Sequence, residues 1–320
     1  MSASEVTLSL VIPVYNEADN LLELYQRIRA VLSALGESYE IILVNDGSSD
    51  DSLDVMKQLR MEDVNVRIVD LSRNWGHQIA LTVGLDRARG QAVITMDADL
   101  QHPPELIPRL LAEWRKGYEV VQTIRQNTAD SGLLKRLTSV GYYALFRTVA
   151  QTDVPAGAAD FRLVDRKVLR AFRQLRERRR FIRGMVPWLG FRTTYVPYEA
   201  GRRFAGRSKY SPLRMLRLAL AGVVSFSTVP LRLALYSGLV LVGLNSIYAA
   251  YVLYAYLFRH AVISGWTSLM LAMLFLSSVQ FVMIGILGEY VATIVEEVKR
   301  RPLYAIREEI GFEMSKGAEK

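Results

Sequence analysis

The run VITMDADLQHPPEL, residues 93–106, ends a hydrophobic stretch on two carboxylates, Asp97 and Asp99, with Gln101 two positions further on. Like charges at that spacing repel unless a cation lies between them. Two carboxylates and an amide oxygen are hard ligands suited to Mg2+ or Mn2+. Such an ion bridges a diphosphate and neutralises a leaving group as a bond to phosphate breaks. A D-x-D triplet alone is weak evidence. Here an apolar run leads into it and a proline-started helix leads out.

The elements that must position these residues alternate along the first half of the chain. Strand-like runs fall at 7–15, 39–46, 66–71, 91–97 and 118–124. Helical stretches fall between them at 18–35, 49–60, 76–89 and 103–116, three of them closed by Gly36, Gly90 and Gly117. Glycine after a helix end and proline near a helix start are regular punctuation. The alternation predicts an α/β fold, a mainly parallel sheet with helices on both faces. Ligands of such sheets bind beyond the carboxyl ends of the strands. The first run ends in PVYNE, the second in VNDGSSDD and the fourth in MDADLQ, so acidic and small polar residues gather on that edge. Neither G-x-G-x-x-G after the first strand nor G-x-x-x-x-G-K-[ST] occurs, which excludes the common dinucleotide and P-loop sites. An acidic edge takes phosphate through a divalent cation.

Composition narrows the partners. Of 320 residues, 40 are Lys or Arg and 32 Asp or Glu, a net charge of +8. That balance suits nucleic acid, anionic lipid or phosphorylated substrates. Cysteine is absent and only His77, His102 and His260 are histidines, so thiolate chemistry and a His-based metal site are excluded. The N-terminus lacks the basic start and long apolar run of a signal peptide. Residues 233–258 and 261–288 carry no formal charge, and each exceeds the roughly 20 residues that cross a bilayer. They predict two transmembrane helices, about 233–258 and 263–288, joined by a tight turn at Arg259 and His260. Arg214, Arg217 and Arg232 precede them and Lys299, Arg300 and Arg301 follow, which places both termini in the cytoplasm. Leu213, Leu216, Leu220 and Val224 recur at helical spacing beside the two first arginines, as in a helix lying in the headgroup plane. The predicted domains are a catalytic domain over 1–210, an interfacial helix over 211–230, a hairpin over 231–295 and a cytoplasmic tail over 296–320.

Taken in order, LSLVIPVYNEADNL, EIILVNDGSSDDS, NWGHQIALTVGLDRARG, VITMDADLQHPPELIP and AADFRLVDRKVL resemble the family-two glycosyltransferases of the GT-A fold. The later RRFAGRSKYS, followed by two spans, narrows the resemblance to the polyprenyl-phosphate glycosyltransferases. These include dolichyl-phosphate mannose synthases and bacterial undecaprenyl-phosphate glucosyltransferases. The resemblance covers the chain through about Arg301. It implies that Pro13, Tyr15, Glu17 and Asp46, with Asp97, hold the donor nucleotide. It implies that Asp97, Asp99 and Gln101 hold Mg2+ or Mn2+ and that Asp160 stands beside the acceptor. Arg203, Ser208 and Lys209 match a basic loop over the donor diphosphate, and Arg125 and Arg136 match positions at the acceptor phosphate. Ala159 stands where relatives often carry glycine. The resemblance also implies a homo-oligomer, such as a tetramer, at the inner membrane.

The reaction implied is metal-dependent, inverting transfer of a hexose, with UDP-glucose the first choice of donor, to polyprenyl phosphate. GDP-mannose and an aminoarabinose donor are alternatives. A polyprenyl monophosphate is already an anion, so Asp160 has an orienting or mildly activating role rather than full proton abstraction. A processive polysaccharide synthase is the rival enzyme, though more spans and a Q-x-x-R-W-type motif are missing. A catalytically dead scaffold is the rival outside enzymes. The basic run RERRRFIRG, 176–184, fits an anionic-headgroup contact or a plain solvated helix face, and nucleic-acid binding is disfavoured by the lack of any reader motif.

Overall fold

The computed structural model describes residues 6–126, 157–178, 180–199, individual positions between 236 and 258, and 265–312. Arg136, Arg203, Ser208, Lys209 and the predicted helix over 211–230 lie outside the described residues. The chain divides into two compact units. The first comprises Met1–Ala144, Thr152–Tyr210 and Arg301–Lys320, and the second comprises Leu145–Gln151 and Ser211–Arg300.

The first unit is built on an eight-stranded sheet: β1 (Leu8–Val14), β2 (Tyr39–Asn45), β3 (Val66–Leu71), β4 (Ala92–Thr95), β5 (Val120–Gln126), β6 (Ala158–Asp165), β7 (Thr193–Glu199) and β8 (Ile306–Ile310). Their order is β7-β5-β6-β4-β1-β2-β3-β8. The five predicted strands are present. Pairing is parallel for β1–β2, β1–β4, β2–β3 and β5–β7, and antiparallel where β6 meets β4 and β5 and where β8 meets β3.

Strands buried on both faces explain the near-continuous apolar runs. Leu8, Leu10, Ile12 and Val14 face one core with α1 (Ala18–Leu35), α2 (Ser52–Glu62) and α4 (Ile107–Arg115). Val11 faces the other, with α3 (His77–Arg87), α5 (Arg166–Phe172) and α6 (Ile182–Trp188). A glycine inside α3 allows that second layer to close. A Cβ on Gly84 would stand 2.2 Å from Val11 Cγ1. Pro13 is tolerated in a central strand because the β4 ladder has ended at the Val11–Thr95 pair.

The predicted cytoplasmic tail over 296–320 is corrected in part. Residues 306–310 form β8, the last strand of the sheet, along the edge of β3. Arg307 reaches the buried Asp70 at 3.2 Å, and Arg87 reaches Glu309 at 2.6 Å. An exposed β3 edge would offer unpaired backbone groups to another chain, and β8 covers it.

In the second unit, α7 (Trp266–Val298) is a single helix of 33 residues, longer than the predicted span of 263–288. Its stretch Phe275–Val298 is long and apolar enough to cross a membrane. Phe275, Phe281, Val282, Ile284 and Leu287 are exposed on it. The described positions between 236 and 258 are also helical, with Tyr236, Val240, Ile247, Tyr251 and Phe258 exposed.

Candidate active site

The site's geometry follows from a strand inside the sheet that runs against both of its neighbours. β6 lies between β4 and β5 and pairs Arg162 with Thr95 at the end of β4. Being antiparallel, β6 begins where β4 ends, so Asp160 comes to the carboxyl edge beside Asp97. Thr95 Oγ1 donates to the Asp160 carbonyl at 2.5 Å and fixes that meeting.

The chain after β4 turns sharply. Leu100 is buried yet holds φ at 63°, a left-handed conformation that costs a non-glycine residue about 1–2 kcal/mol. Strain of this kind persists where the surroundings over-determine it. Here they do: the Asp97 N–H donates to His102 Nδ1 at 2.9 Å, and the Gln101 N–H to Asp99 Oδ1 at 3.2 Å. His102 is buried, stacked on Phe161 at 5.2 Å, and burial pushes its pKa down despite the nearby Asp97. A neutral imidazole with Nδ1 free to accept is what that hydrogen bond requires.

Asp160 is the most heavily bonded carboxylate of the site. Its Oδ1 accepts from Arg162 Nη2 at 2.9 Å and Arg183 Nε at 3.0 Å, and its Oδ2 from Arg183 Nη2 at 2.7 Å. His77 Nε2 lies 3.5 Å from Oδ2 and 3.4 Å from Asp97 Oδ1, so one imidazole joins the two carboxylates. The Asp160 side chain is 3% exposed, and burial alone would raise its pKa. The hydrogen bond from His77 and the charges of Arg183 and Arg162 outweigh burial and hold it well below the usual carboxylate range. Burial pulls Arg162 down to about 10, still a cation at neutral pH. His77 is also pushed down by burial, but Asp160 and Asp97 leave it above its ordinary value.

The loops after β1 and β2 are stitched together. The Asn16 N–H donates to Ser48 Oγ at 3.1 Å, the Glu17 N–H to Ser52 Oγ at 3.0 Å, and the Ser49 N–H to Asn16 Oδ1 at 2.8 Å. Asn16, at φ 56°, is the other strained residue of this edge. Tyr15 is left exposed, while Pro13 is buried within β1 and Glu17 Oε2 accepts from Asn20. Asp46 is buried and faces the loop before α3, accepting the N–H groups of Trp75 at 2.7 Å and Gly76 at 3.0 Å. Gly47, at φ 67°, permits that approach, since a Cβ there would lie 2.6 Å from the Arg73 and Asn74 backbone.

The structure thus brings Asp97, Asp99, Gln101, Arg125 and Asp160 to one edge. Arg125 donates to Gln101 Oε1 at 3.3 Å. Sequence reasoning missed His77, His102, Arg162 and Arg183. The described residues of the run 176–184 do not form a solvated helix face. Arg176 pairs with Asp86 at 2.8 Å, Arg180 is buried over the Phe172 ring and donates to the Leu175 carbonyl, and Arg183 holds Asp160.

The donor set fits a divalent ion that arrives with its substrate. Asp97 Oδ1 is buried and makes no hydrogen bond, with His77 Nε2 3.4 Å away, so its lone pairs are available to a hard cation. Among the described residues no group of three or more His, Cys, Asp or Glu could hold a metal alone. Mg2+-type sites commonly use one or two carboxylates and complete their shell with substrate phosphates.

Residues 9–173 match the family described as Glycosyl transferase family 2, and residues 229–294 match the GtrB C-terminal hairpin. "Uncharacterized glycosyltransferase YkcC" of Bacillus subtilis is 42% identical over 95% of this chain and 94% of its own. "Uncharacterized glycosyltransferase sll0501" of Synechocystis is 41% identical over 96% of this chain and 97% of its own. "SfII prophage-derived bactoprenol glucosyl transferase" of Shigella flexneri is 37% identical over 94% of this chain and 97% of its own.

Proposed function

The chain belongs to glycosyl transferase family 2, with the GT-A fold and a GtrB-type hairpin, and from that premise we propose that it transfers a hexose from a nucleotide sugar to a polyprenyl phosphate at a membrane. The observation that carries the reading is the junction through His77 of two carboxylates, Asp97 and Asp160, from strands that run in opposite directions. It gives one edge a carboxylate that can take a donor diphosphate through a divalent cation and an arginine-rich neighbour for an anionic acceptor. The hairpin and the relative named as a bactoprenol glucosyl transferase support a lipid acceptor and a membrane-associated enzyme.

On the donor side, Asp97, Asp99 and Gln101 would hold Mg2+ or Mn2+, which when bound supplies charge neutralisation at the departing nucleoside diphosphate. His102 holds the Asp97 backbone and Arg125 holds Gln101, so that set is oriented before substrate arrives. Tyr15 is exposed at the end of β1 and suits a base contact, with Pro13, Glu17 and Asp46 framing it. Arg203, Ser208 and Lys209, outside the described residues, would contact the donor diphosphate. On the acceptor side, Asp160 is not the base. A carboxylate held far below neutral pH is a weak proton acceptor, and a phosphate monoester is already an anion. Its attack on the anomeric carbon displaces the diphosphate directly and inverts that carbon.

A donor screen with undecaprenyl phosphate tests the reading. UDP-glucose should give chloroform-extractable label, abolished by EDTA and by Asp99→Ala. Label from GDP-mannose or an aminoarabinose nucleotide alone would change the sugar. Undiminished transfer in EDTA would remove the metal.

A further inference from the structure

We infer that Arg183 receives the phosphate of the lipid acceptor and that Asp160 is the anchor that holds Arg183 in place for it. The inference rests on the lipid-phosphate reading above and adds the residue that recognises that phosphate. It starts from accessibility. Asp160 is 3% exposed, so no substrate atom reaches it without displacing the cations around it. Arg162 is 2% exposed and fixed inside the sheet. Arg183 is 40% exposed and His77 42%. The surface that this cluster turns to solvent is therefore the Arg183 guanidinium and the His77 ring, although a carboxylate lies at its centre.

Of the two exposed groups, His77 is shared with Asp97 on the donor side. Arg183 grips Asp160 side-on, through Nε at 3.0 Å and Nη2 at 2.7 Å. That grip sets the plane of the guanidinium. The backbone beside it is set as well: the Ile182 N–H donates to Gln78 Oε1 at 2.9 Å, and the Ile182 carbonyl accepts from Arg162 Nη1 at 3.3 Å. The residue is thus pinned to α3 and to β6 at once. A planar guanidinium matches a phosphate geometrically where an ammonium offers only a point charge. Holding it before the ligand arrives lowers the side-chain entropy lost on binding. A buried carboxylate held by two arginines, one of them exposed, acts through the arginine it orients.

The test uses the full chain in detergent with undecaprenyl phosphate and its nucleotide hexose. Arg183→Lys and Arg183→Gln are each titrated with acceptor at saturating donor, then with donor at saturating acceptor, and each is melted. The inference predicts that Arg183→Gln raises the acceptor KM by about tenfold or more, the scale of one lost charge-assisted phosphate contact. Donor KM should stay within about twofold, and Arg183→Lys should recover only part of the loss because it keeps the charge without the fork. An unchanged acceptor KM in a folded Arg183→Gln protein overturns the inference and leaves the proposed function standing. A parallel rise of both KM values with a lowered melting temperature in both variants also overturns it, leaving Arg183 as a structural tie. Failure of the wild-type chain to saturate with undecaprenyl phosphate overturns the proposed function, and this inference with it.

Discussion

At the scale of single residues, Asp160 decides how the site is charged. A buried ion pair that loses one partner leaves an uncompensated charge and costs about 3–5 kcal/mol. Asp160→Asn should therefore lower the melting temperature by on the order of 10 °C in a unit of this size. The pH dependence follows from the direction of the shift. The folded-state pKa of Asp160 lies below its unfolded value of about 3.9. Its stabilisation is then fully present above that unfolded value and is lost only as pH falls through the lower, folded one. Asp160 also raises His77, whose pairing adds stability below its unfolded pKa and loses it as pH rises, so the melting deficit of Asp160→Asn should be larger at pH 5 than at pH 8, and a deficit that shrinks at pH 5 would contradict the assignment. The acidic residues at a strand end pointed to Asp97 and Asp99 through a local pattern, whereas Asp160 was named only through the family resemblance. Sequence reasoning missed Arg183 because the partner of that arginine sits 23 positions away on another element. The run RERRRFIRG offers nothing local that distinguishes the buried Arg180 or the bonded Arg183 from a solvated charge. His102 stood in the first stretch read, but only the turn at Leu100 shows that its ring holds the Asp97 N–H.

At the scale of elements, the strands with a strong apolar run were legible and the polar-edged ones were not. β1, β2 and β3 match the predicted runs within two residues at each end. β8, IREEI, is short and charged on both faces, and its identity comes only from pairing with β3 far back in the chain. β6 was read as a motif rather than as a strand, so its antiparallel direction, which carries Asp160 to the acidic edge, was not visible. The packing of α3 on β1 yields a prediction whose sign two effects contest. Alanine in place of a mid-helix glycine gains about 1 kcal/mol of helix propensity. At Gly84 the added methyl would meet Val11 at 2.2 Å. Overpacking typically costs about 1–3 kcal/mol. Gly84→Ala should lower the melting temperature, and adding Val11→Ala should restore part of it. A Gly84→Ala protein that melts higher than wild type would show that the layer is looser than this contact implies.

At the scale of the whole molecule, one unit carries the candidate site and the other a helix long and apolar enough to cross a membrane. α7, at 1.5 Å per residue, is about 50 Å long, well over the roughly 30 Å hydrocarbon core of a bilayer. Its last turns carry Glu296 and Glu297, which belong in water. A lipid acceptor confined to the membrane meets an enzyme confined to the same surface, and local concentration then favours the transfer. Sugar nucleotides are cytoplasmic, and the basic residues around the hairpin favour that side for the catalytic unit. The most direct test is the mass of the lipid after reaction. Inverted membrane vesicles containing the chain and undecaprenyl phosphate would be given the nucleotide hexose from outside, and the extracted lipid weighed by mass spectrometry. The account predicts a gain of one hexose per lipid phosphate in inverted vesicles and none in right-side-out ones. An unchanged lipid with sugar built into a water-soluble polymer, or a gain only in right-side-out vesicles, would contradict it.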